Sequence, residues 1–129
     1  MSAVILDASA LLALLRGEAG ARKVEGALGD ARMSVVNMAE VASHYSKLGM
    51  PDDVISAMLR PLPITLVDAD AGQCWEAGRL RGLTVEAGLS LGDRFCLALA
   101  KRDKLPAWTA DRKWRDIADA AGVKVVTIR

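Results

Sequence analysis

The sequence predicts an α/β fold: a three-layer α/β/α sandwich around a mainly parallel, five-stranded sheet. Three observations lead to this prediction. Short apolar runs of strand length alternate with longer helical patterns along the whole chain. Hydrophobic residues make up 52% of the 129 residues, which is ample for one core. No internal repeat, low-complexity segment or long linker divides the chain, so we expect a single domain over residues 1–129.

The first half of the chain contains two predicted strands and three predicted helices. A Val-Ile-Leu run near the start leads into a stretch rich in Ala and Leu, and a second helical pattern leads into the next apolar run. In chain order, the elements are strand Val4–Leu6, helix Ser9–Leu15, helix Ala19–Leu28, strand Met33–Val36 and helix Met38–Leu48.

The second half continues the alternation, with turns marked by Gly49-Met50-Pro51 and Arg60-Pro61-Leu62-Pro63. Its elements are helix Asp52–Leu59, strand Ile64–Val67, helix Ala69–Leu80, helix Leu91–Arg102, strand Pro106–Thr109, helix Arg112–Ala121 and strand Lys124–Ile128. Right-handed crossovers between parallel strands then place helices on both faces of the sheet.

The charge balance excludes a generally basic protein. Lys and Arg total 17 against 16 Asp and Glu, which gives a net charge of +1. A global positive field of the kind that binds nucleic acid without selectivity is therefore absent. Any contact with nucleic acid must be local.

Cysteine and tryptophan positions predict core packing. Cys74 and Cys96 lie in helical patterns without the spacing of a zinc site, so we expect buried thiols in a reducing compartment. The three tryptophans are expected to fill the core, with Trp114 beneath the site described next; they are Trp75, Trp108 and Trp114.

Four acidic residues follow strand-like runs or begin helices: Asp7, Glu40, Asp93 and Asp111. The carboxyl ends of parallel strands share one edge of a sheet, where α/β domains bind ligands. We therefore expect the four carboxylates to lie close together. Like charges about 4 Å apart repel by about 4 kcal/mol at an effective dielectric of about 20, so such a cluster needs a counter-charge. Oxygen ligands alone favour Mg²⁺ or Mn²⁺ over zinc.

Each acid also has an ordinary structural explanation, because Asp and Glu favour helix starts. Asp7 and Asp111 are placed to cap the helices that follow them. Asn37-Met38-Ala39-Glu40 and Ser90-Leu91-Gly92-Asp93 both resemble capping boxes. Capping does not explain why the same placement recurs in four crossovers, so the joint pattern favours a functional site.

Polar and basic side chains accompany the acids. Ser9, Asn37 and Thr109 place hydroxyl or amide groups beside the expected site. Basic residues follow two of the acids closely, which predicts either contact with phosphate or a solvated helix face. They are Arg94, Arg112, Lys113 and Arg115.

These motifs resemble the PIN domain. In chain order they are Val4-Ile5-Leu6-Asp7-Ala8-Ser9-Ala10, Asn37-Met38-Ala39-Glu40, Leu91-Gly92-Asp93-Arg94 and Thr109-Ala110-Asp111-Arg112-Lys113-Trp114. Their order and spacing match the family from end to end. More narrowly, the short length and the run from Leu89 to Ala100 resemble VapC-type toxins of bacterial type II toxin–antitoxin pairs.

The resemblance implies a Mg²⁺- or Mn²⁺-dependent endoribonuclease that leaves 5′-phosphate and 3′-hydroxyl ends. The family's acidic, metal-binding positions fall on Asp7, Glu40, Asp93 and Asp111. Asp7 and Asp93 are expected as direct ligands, with the other two binding a second metal or orienting water. Thr109, Ser9 and Asn37 match supporting positions.

The resemblance also implies partners. A VapB-type antitoxin would wrap the toxin with its C-terminal segment, and its own domain would bind operator DNA. RNA is the implied substrate, and a homodimer is the implied assembly. Helices Val41–Leu48 and Val54–Leu59 offer either a groove for the antitoxin or only core packing. The sequence lacks a basic leader or membrane span, so we expect a cytoplasmic protein without membrane contact.

Two other functions stay open. The first is aspartyl-phosphate chemistry, which also uses carboxylates at strand ends with Mg²⁺. Its hydrolase form needs a second Asp at the position where this chain has Ser9. Its receiver form needs a Lys at the end of the fifth strand, whereas Lys124 stands at the beginning of that strand. A PIN-like scaffold that binds RNA or protein without cutting is the second. Loss of an acid would favour it, and none is lost.

Overall fold

Residues 2–129 are described by the structure, a computed structural model of the chain. These residues contain five short strands: β1 Val4–Leu6, β2 Ala31–Ser34, β3 Thr65–Val67, β4 Ala107–Thr109 and β5 Val125–Thr127. The same described range contains seven α-helices: α1 Ala8–Arg16, α2 Ala21–Ala27, α3 Val35–Lys47, α4 Asp52–Leu59, α5 Ala71–Leu83, α6 Leu91–Asp103 and α7 Ala118–Ala121. Two 3-10 segments, Leu28–Asp30 and Arg112–Ile117, precede β2 and α7.

All strand pairs are parallel, and the strand order is β3-β2-β1-β4-β5. The order reverses at β1, which pairs with β2 on one side and β4 on the other. In open parallel sheets, ligands bind in the crevice beyond the strand ends at such a switch point. The α/β fold with a five-stranded parallel sheet is thus confirmed.

The three-residue strand β1 contributes to both layers of the core. Its residues are all buried, and successive side chains of a strand point to opposite faces. Ile5 packs with Leu97, Leu99 and Trp114 on one face. Val4 and Leu6 pack on the other face, against helices α1 and α2. A third apolar cluster joins α1, β2, α3 and α4.

The second strand and the third helix begin earlier than the sequence predicts. We expected a strand over Met33–Val36 and a helix from Met38, but β2 ends at Ser34 and α3 starts at Val35. The reason is that the Ser34 hydroxyl accepts a hydrogen bond from the Val36 amide and caps the helix. Asn37 and Glu40 are consequently one turn apart inside α3, and their capping-box prediction is wrong.

Three further expectations are corrected. The predicted helix Arg112–Ala121 is a 3-10 segment followed by one short α-helix. Cys74 is exposed, whereas Cys96 is buried as expected. Trp75 is 77% exposed, because α5 buries only Gln73, Ala77 and Leu80. None of the helices in residues 2–129 has the length and apolar content of a membrane-spanning helix.

Candidate active site

Asp7 lies at the centre of the switch point. It follows β1 directly, caps α1 by accepting a hydrogen bond from the Ala10 amide at 2.8 Å, and is 3% exposed. The Ser9 hydroxyl lies 2.8 and 2.9 Å from the two carboxylate oxygens. The Thr109 hydroxyl, from the neighbouring strand β4, donates to Oδ2 at 2.5 Å. Each of these contacts fixes the carboxylate in one orientation.

Asp111 belongs to the same network through the backbone. Its amide donates to Thr109 Oγ1 at 3.0 Å, and the Ala110 amide donates to Ser9 Oγ at 2.9 Å. The Asp111 side chain is exposed and accepts a hydrogen bond from the Lys113 amide at 3.0 Å. Asp7, Ser9, Thr109 and Asp111 are therefore joined across the pair β1 and β4.

Glu40 and Asp93 come from two helices that meet beside this pair. The Asn37 side chain donates from Nδ2 both to Glu40 Oε1 and to the Gly92 carbonyl, each at 2.9 Å. Asp93 forms a capping box at the start of α6, because the Ser90 amide donates to its Oδ2 at 2.9 Å and its own amide donates to Ser90 Oγ. Its capping prediction is confirmed.

The electrostatics show that the four acids share one region. Burial raises the pKa of Asp7 to about 6, against hydrogen bonds from Thr109, Ala10 and Ser9 that lower it, and the nearby charge of Asp93 raises it further. Burial likewise raises the pKa of Glu40, and Asp93 adds to this shift. Burial also raises the pKa of Asp93, and the charge of Asp111 adds to it.

The negative charge of this cluster is not neutralised by ion pairs. Among residues 2–129, all seven Lys or Arg salt bridges go to other acids, and none reaches these four. The buried Cys96 thiol shows the same excess of negative charge. Burial raises its pKa well above the usual value, and Asp7, Asp93 and Glu40 add to the shift.

The chemistry of the donor set fits a hard divalent cation. All four groups are carboxylates, and oxygen ligands suit Mg²⁺ and Mn²⁺. Within residues 2–129, Glu40, Asp93 and Asp111 each make hydrogen bonds through a single carboxylate oxygen. In this arrangement no three His, Cys, Asp or Glu side chains of the described chain converge closely enough to hold a metal.

The basic residues near the acids have varied environments. The Arg94 guanidinium donates to the carbonyls of Ala77 and Ser90 and so ties α6 to α5. Arg112 donates to the Arg129 carbonyl, and Arg115 donates to the Thr127 hydroxyl. Lys113 is exposed and lines a cleft of about 760 Å³ between residues 82–87 and 113–120. Of the four, only Lys113 makes no side-chain hydrogen bond among residues 2–129, and it lies beside Asp111.

Two site residues were not predicted from the sequence. Ser90 orients Asp93. A Ser three residues before an acid predicts only a helix cap, so the sequence did not indicate this role. Gly92 lies against the Glu40 carboxylate, and no local pattern could have predicted that contact because 52 positions separate the two residues.

Comparison with known families shows which family the chain belongs to. A family model described as the PIN domain matches residues 4–120. The chain belongs to the PIN domain family. The matched residues include all four acids. In the comparison with curated proteins, nothing matches this chain.

Several solved structures share the fold. A DNA-bound VapBC from Salmonella typhimurium is 15% identical, with a TM-score of 0.77 and 100% of both chains covered. A toxin–antitoxin complex from Klebsiella pneumoniae is 22% identical, with a TM-score of 0.72 and 98% of each chain covered. VapC20 from Mycobacterium tuberculosis, a sarcin–ricin loop cleaving toxin, is 16% identical over 94% of this chain and 96% of its own, with a TM-score of 0.73.

Proposed function

We propose that this PIN domain is a VapC-type toxin of a toxin–antitoxin pair and that it cuts RNA by divalent metal-dependent hydrolysis. One observation carries the proposal: four carboxylates gather at the switch point without any Lys or Arg ion pair in residues 2–129. Asp7 is buried and Glu40 and Asp93 are partly buried, and leaving such charges unpaired is costly, so the cluster is suited to a bound cation. The likeness to VapC20, which is described as cutting the sarcin–ricin loop, supports RNA as the substrate class.

In this proposal, Asp7 and Asp93 hold the cation directly, and Glu40 and Asp111 hold a second one or orient its water. A bound Mg²⁺ or Mn²⁺ would activate water and neutralise charge on the scissile phosphate. Thr109 and Ser9 keep the Asp7 carboxylate in its orientation by donating to it. In this proposal a water molecule attacks the phosphorus and the 3′ oxygen leaves, so the products carry 5′-phosphate and 3′-hydroxyl ends.

Single-stranded RNA would approach over the exposed side of the cluster. Lys113 is the residue we assign to phosphate contact, with Arg94, Arg112 and Arg115 as weaker candidates because their side chains hold other groups. Sequence-specific readers of RNA mostly target unpaired bases, which favours a loop or single strand as the target.

The proposed partner is a VapB-type antitoxin. The compared structures are a toxin–antitoxin complex from Klebsiella and a DNA-bound VapBC from Salmonella, which supports a protein partner for this fold. Helices α3 and α4 flank a cleft of about 450 Å³. Ile55 and Leu59 line it, while Leu48 and Val54 stay 69% and 46% exposed. We also propose a homodimer and a cytoplasmic location, with contact to DNA only through the antitoxin.

The test uses purified chain, free of antitoxin, with total bacterial RNA. Samples contain Mg²⁺, Mn²⁺ or chelator, and new 5′ ends are mapped with their phosphate state. Asp93→Asn is the site variant. Asp68→Asn is the matched control, because Asp68 is exposed and follows the edge strand β3. Discrete metal-dependent cuts with 5′-phosphates, lost in the first variant and kept in the second, are expected.

A second candidate is a scaffold that binds RNA without cutting it. The observation in its favour is that no three potential ligand side chains of residues 2–129 converge on one point. Two results together would favour the scaffold and contradict the nuclease. The RNA stays intact although the chain has bound metal, and the chain retains RNA in a filter-binding assay without metal.

A further inference from the structure

Gly92 occupies the first turn of α6, immediately before Asp93, and it is buried. Its backbone is an ordinary helical one, since Gly92 is not among the positive-φ glycines of residues 2–129. The conformation therefore does not require glycine, and Ala is a better helix former. Glycine is required at position 92 because a side chain there would collide with the Glu40 carboxylate. A Cβ at this position would lie 2.2 Å from Glu40 Oε1, 2.3 Å from Glu40 Cδ and 2.4 Å from Glu40 Oε2.

Asn37 links Glu40 to the backbone of Gly92. Its Nδ2 donates one hydrogen to Glu40 Oε1 and the other to the Gly92 carbonyl. Both partners can only accept, so the reversed amide would bring Oδ1 against two acceptors and is excluded. Asn37 is 1% exposed, and its Oδ1 is buried without a hydrogen-bond partner in the described chain. Leaving this buried oxygen without a partner is costly, which indicates that the role of Asn37 lies in the two hydrogen bonds donated by its Nδ2.

We propose that Gly92 and Asn37 are positioning residues for the Glu40 carboxylate. Gly92 provides the space in which this carboxylate lies against α6, and Asn37 fixes it there. Together they set the position of Glu40, carried by α3, relative to Asp93, carried by α6. The inference rests on the proposed metal-dependent nuclease function, because it assigns the two residues to the metal-binding geometry of Glu40.

A methyl group at position 92 tests the space directly. To reach 3.0 Å from the new Cβ, the nearest Glu40 oxygen must retreat by about 0.8 Å. Glu40 is a flexible side chain and can move without disturbing the fold. The Glu40 carboxylate, however, would then be displaced from the proposed metal site. Misplacement by about 1 Å can lower the rate at a catalytic site about 100-fold. Gly92→Ala should therefore weaken Mn²⁺ binding 10- to 100-fold, roughly the range for lost supporting contacts.

The experiment measures Mn²⁺ affinity by isothermal titration calorimetry, with thermal unfolding recorded on the same samples. Gly78→Ala is the matched control, because Gly78 lies within α5 and a Cβ there meets nothing within 4 Å. We expect wild-type Mn²⁺ affinity in Gly78→Ala and weakened affinity in Gly92→Ala, both with an intact unfolding transition. Wild-type affinity in Gly92→Ala would overturn the proposal.

A double variant shows whether Gly92 acts through Glu40. Gly92→Ala should weaken Mn²⁺ binding no further once Glu40→Ala is present, because the displaced carboxylate is already gone. A further loss in the double variant would overturn the proposal. If Gly92→Ala alone fails to fold, Glu40→Ala should restore its stability by removing the clash. A double variant that also fails to fold would overturn the proposal.

Asn37→Asp tests the amide with almost no change of shape. It replaces the Nδ2 donor with an oxygen facing two acceptors, so Glu40 is repelled and Mn²⁺ affinity should fall about as far as in Glu40→Ala. Unchanged affinity would remove Asn37 from the proposal. RNA cleavage, measured in parallel, separates the two levels of inference. A wild-type chain that binds Mn²⁺ but cuts no RNA contradicts the proposed nuclease and leaves the positioning of Glu40 standing.

Discussion

Replacing Asp7 with Asn should change how the stability of the metal-free protein depends on pH. Asp7 is 3% exposed, and burial raises its pKa from the ordinary value of 3.8 to about 6, despite three hydrogen bonds that favour the ionised form. The folded protein therefore holds a proton at Asp7 more tightly than the unfolded chain does. Asn is close in size to Asp and carries no titratable group.

The sign and the magnitude follow from this shift. Between about pH 4 and pH 6 the unfolded chain loses the proton while the folded state keeps it, so the free energy of unfolding falls as the pH rises. A difference between 3.8 and about 6 corresponds to about 3 kcal/mol, lost in full above pH 6. Glu40 and Asp93, whose pKa values are also raised, add to the fall in the same direction.

The assay is urea unfolding followed by circular dichroism, from pH 4 to pH 8 in the presence of chelator. Wild type and Asp68→Asn should lose stability steeply between pH 4 and pH 6, and Asp7→Asn should lose about 3 kcal/mol less. Comparing slopes rather than absolute stabilities cancels the constant cost of altered hydrogen bonds to Thr109 and Ser9. In samples without chelator, adding Mg²⁺ at pH 8 should recover stability in wild type and less in Asp7→Asn. Parallel pH curves for wild type and Asp7→Asn would refute the reasoning.

Three further perturbations test other parts of the site. Thr109→Val removes the hydroxyl that donates to Asp7, so the pKa of Asp7 should rise further. The free energy of unfolding in urea at pH 8 should fall by about 1.5–3 kcal/mol. Unchanged stability would contradict this role of Thr109. Ser90→Ala removes the cap of α6 and should cost about 1 kcal/mol, whereas Ser46→Ala, an exposed control, should cost little. Lys113→Ala should lower the slope of log affinity against log salt for RNA by about 0.7, read by fluorescence anisotropy in an Asp93→Asn background. Lys124 lies at the amino end of β5, away from the carboxyl ends of the strands. An equal change of the salt slope in Lys124→Ala would argue against a local phosphate contact.

The sequence was sufficient for the fold class because its main signals are local or topological. Strand β1 is a fully apolar run that ends at a capping Asp, and the rule that parallel strands end at one edge is enough to bring Asp7 and Asp111 together. The hydrogen-bond links from Thr109 and Ser9 to Asp7 follow from the same register. These parts of the site needed no knowledge of the packing of the helices.

The errors have physical causes. Val35 and Val36 favour strands by propensity, but the Ser34 cap places them in the first turn of α3. The outward position of Cys74 and Trp75 depends on how α5 lies against α6, which no local pattern reports. Likewise, the approach of Glu40 to Gly92 arises where α3 meets α6, between residues far apart in the chain. Contacts that helix packing creates are those that single-sequence reasoning misses.

The most direct test of the carboxylate cluster as a metal-dependent nuclease centre follows Mn²⁺ binding and RNA cleavage in one titration. Bound Mn²⁺ is read by electron paramagnetic resonance, and the cleavage rate is read on the same sample. Both should rise over the same Mn²⁺ range in wild type and in Asp68→Asn, and both should shift to higher Mn²⁺ together in Asp7→Asn and Asp93→Asn. Cleavage that persists in chelator, or Mn²⁺ binding that none of the four acids affects, would contradict the account.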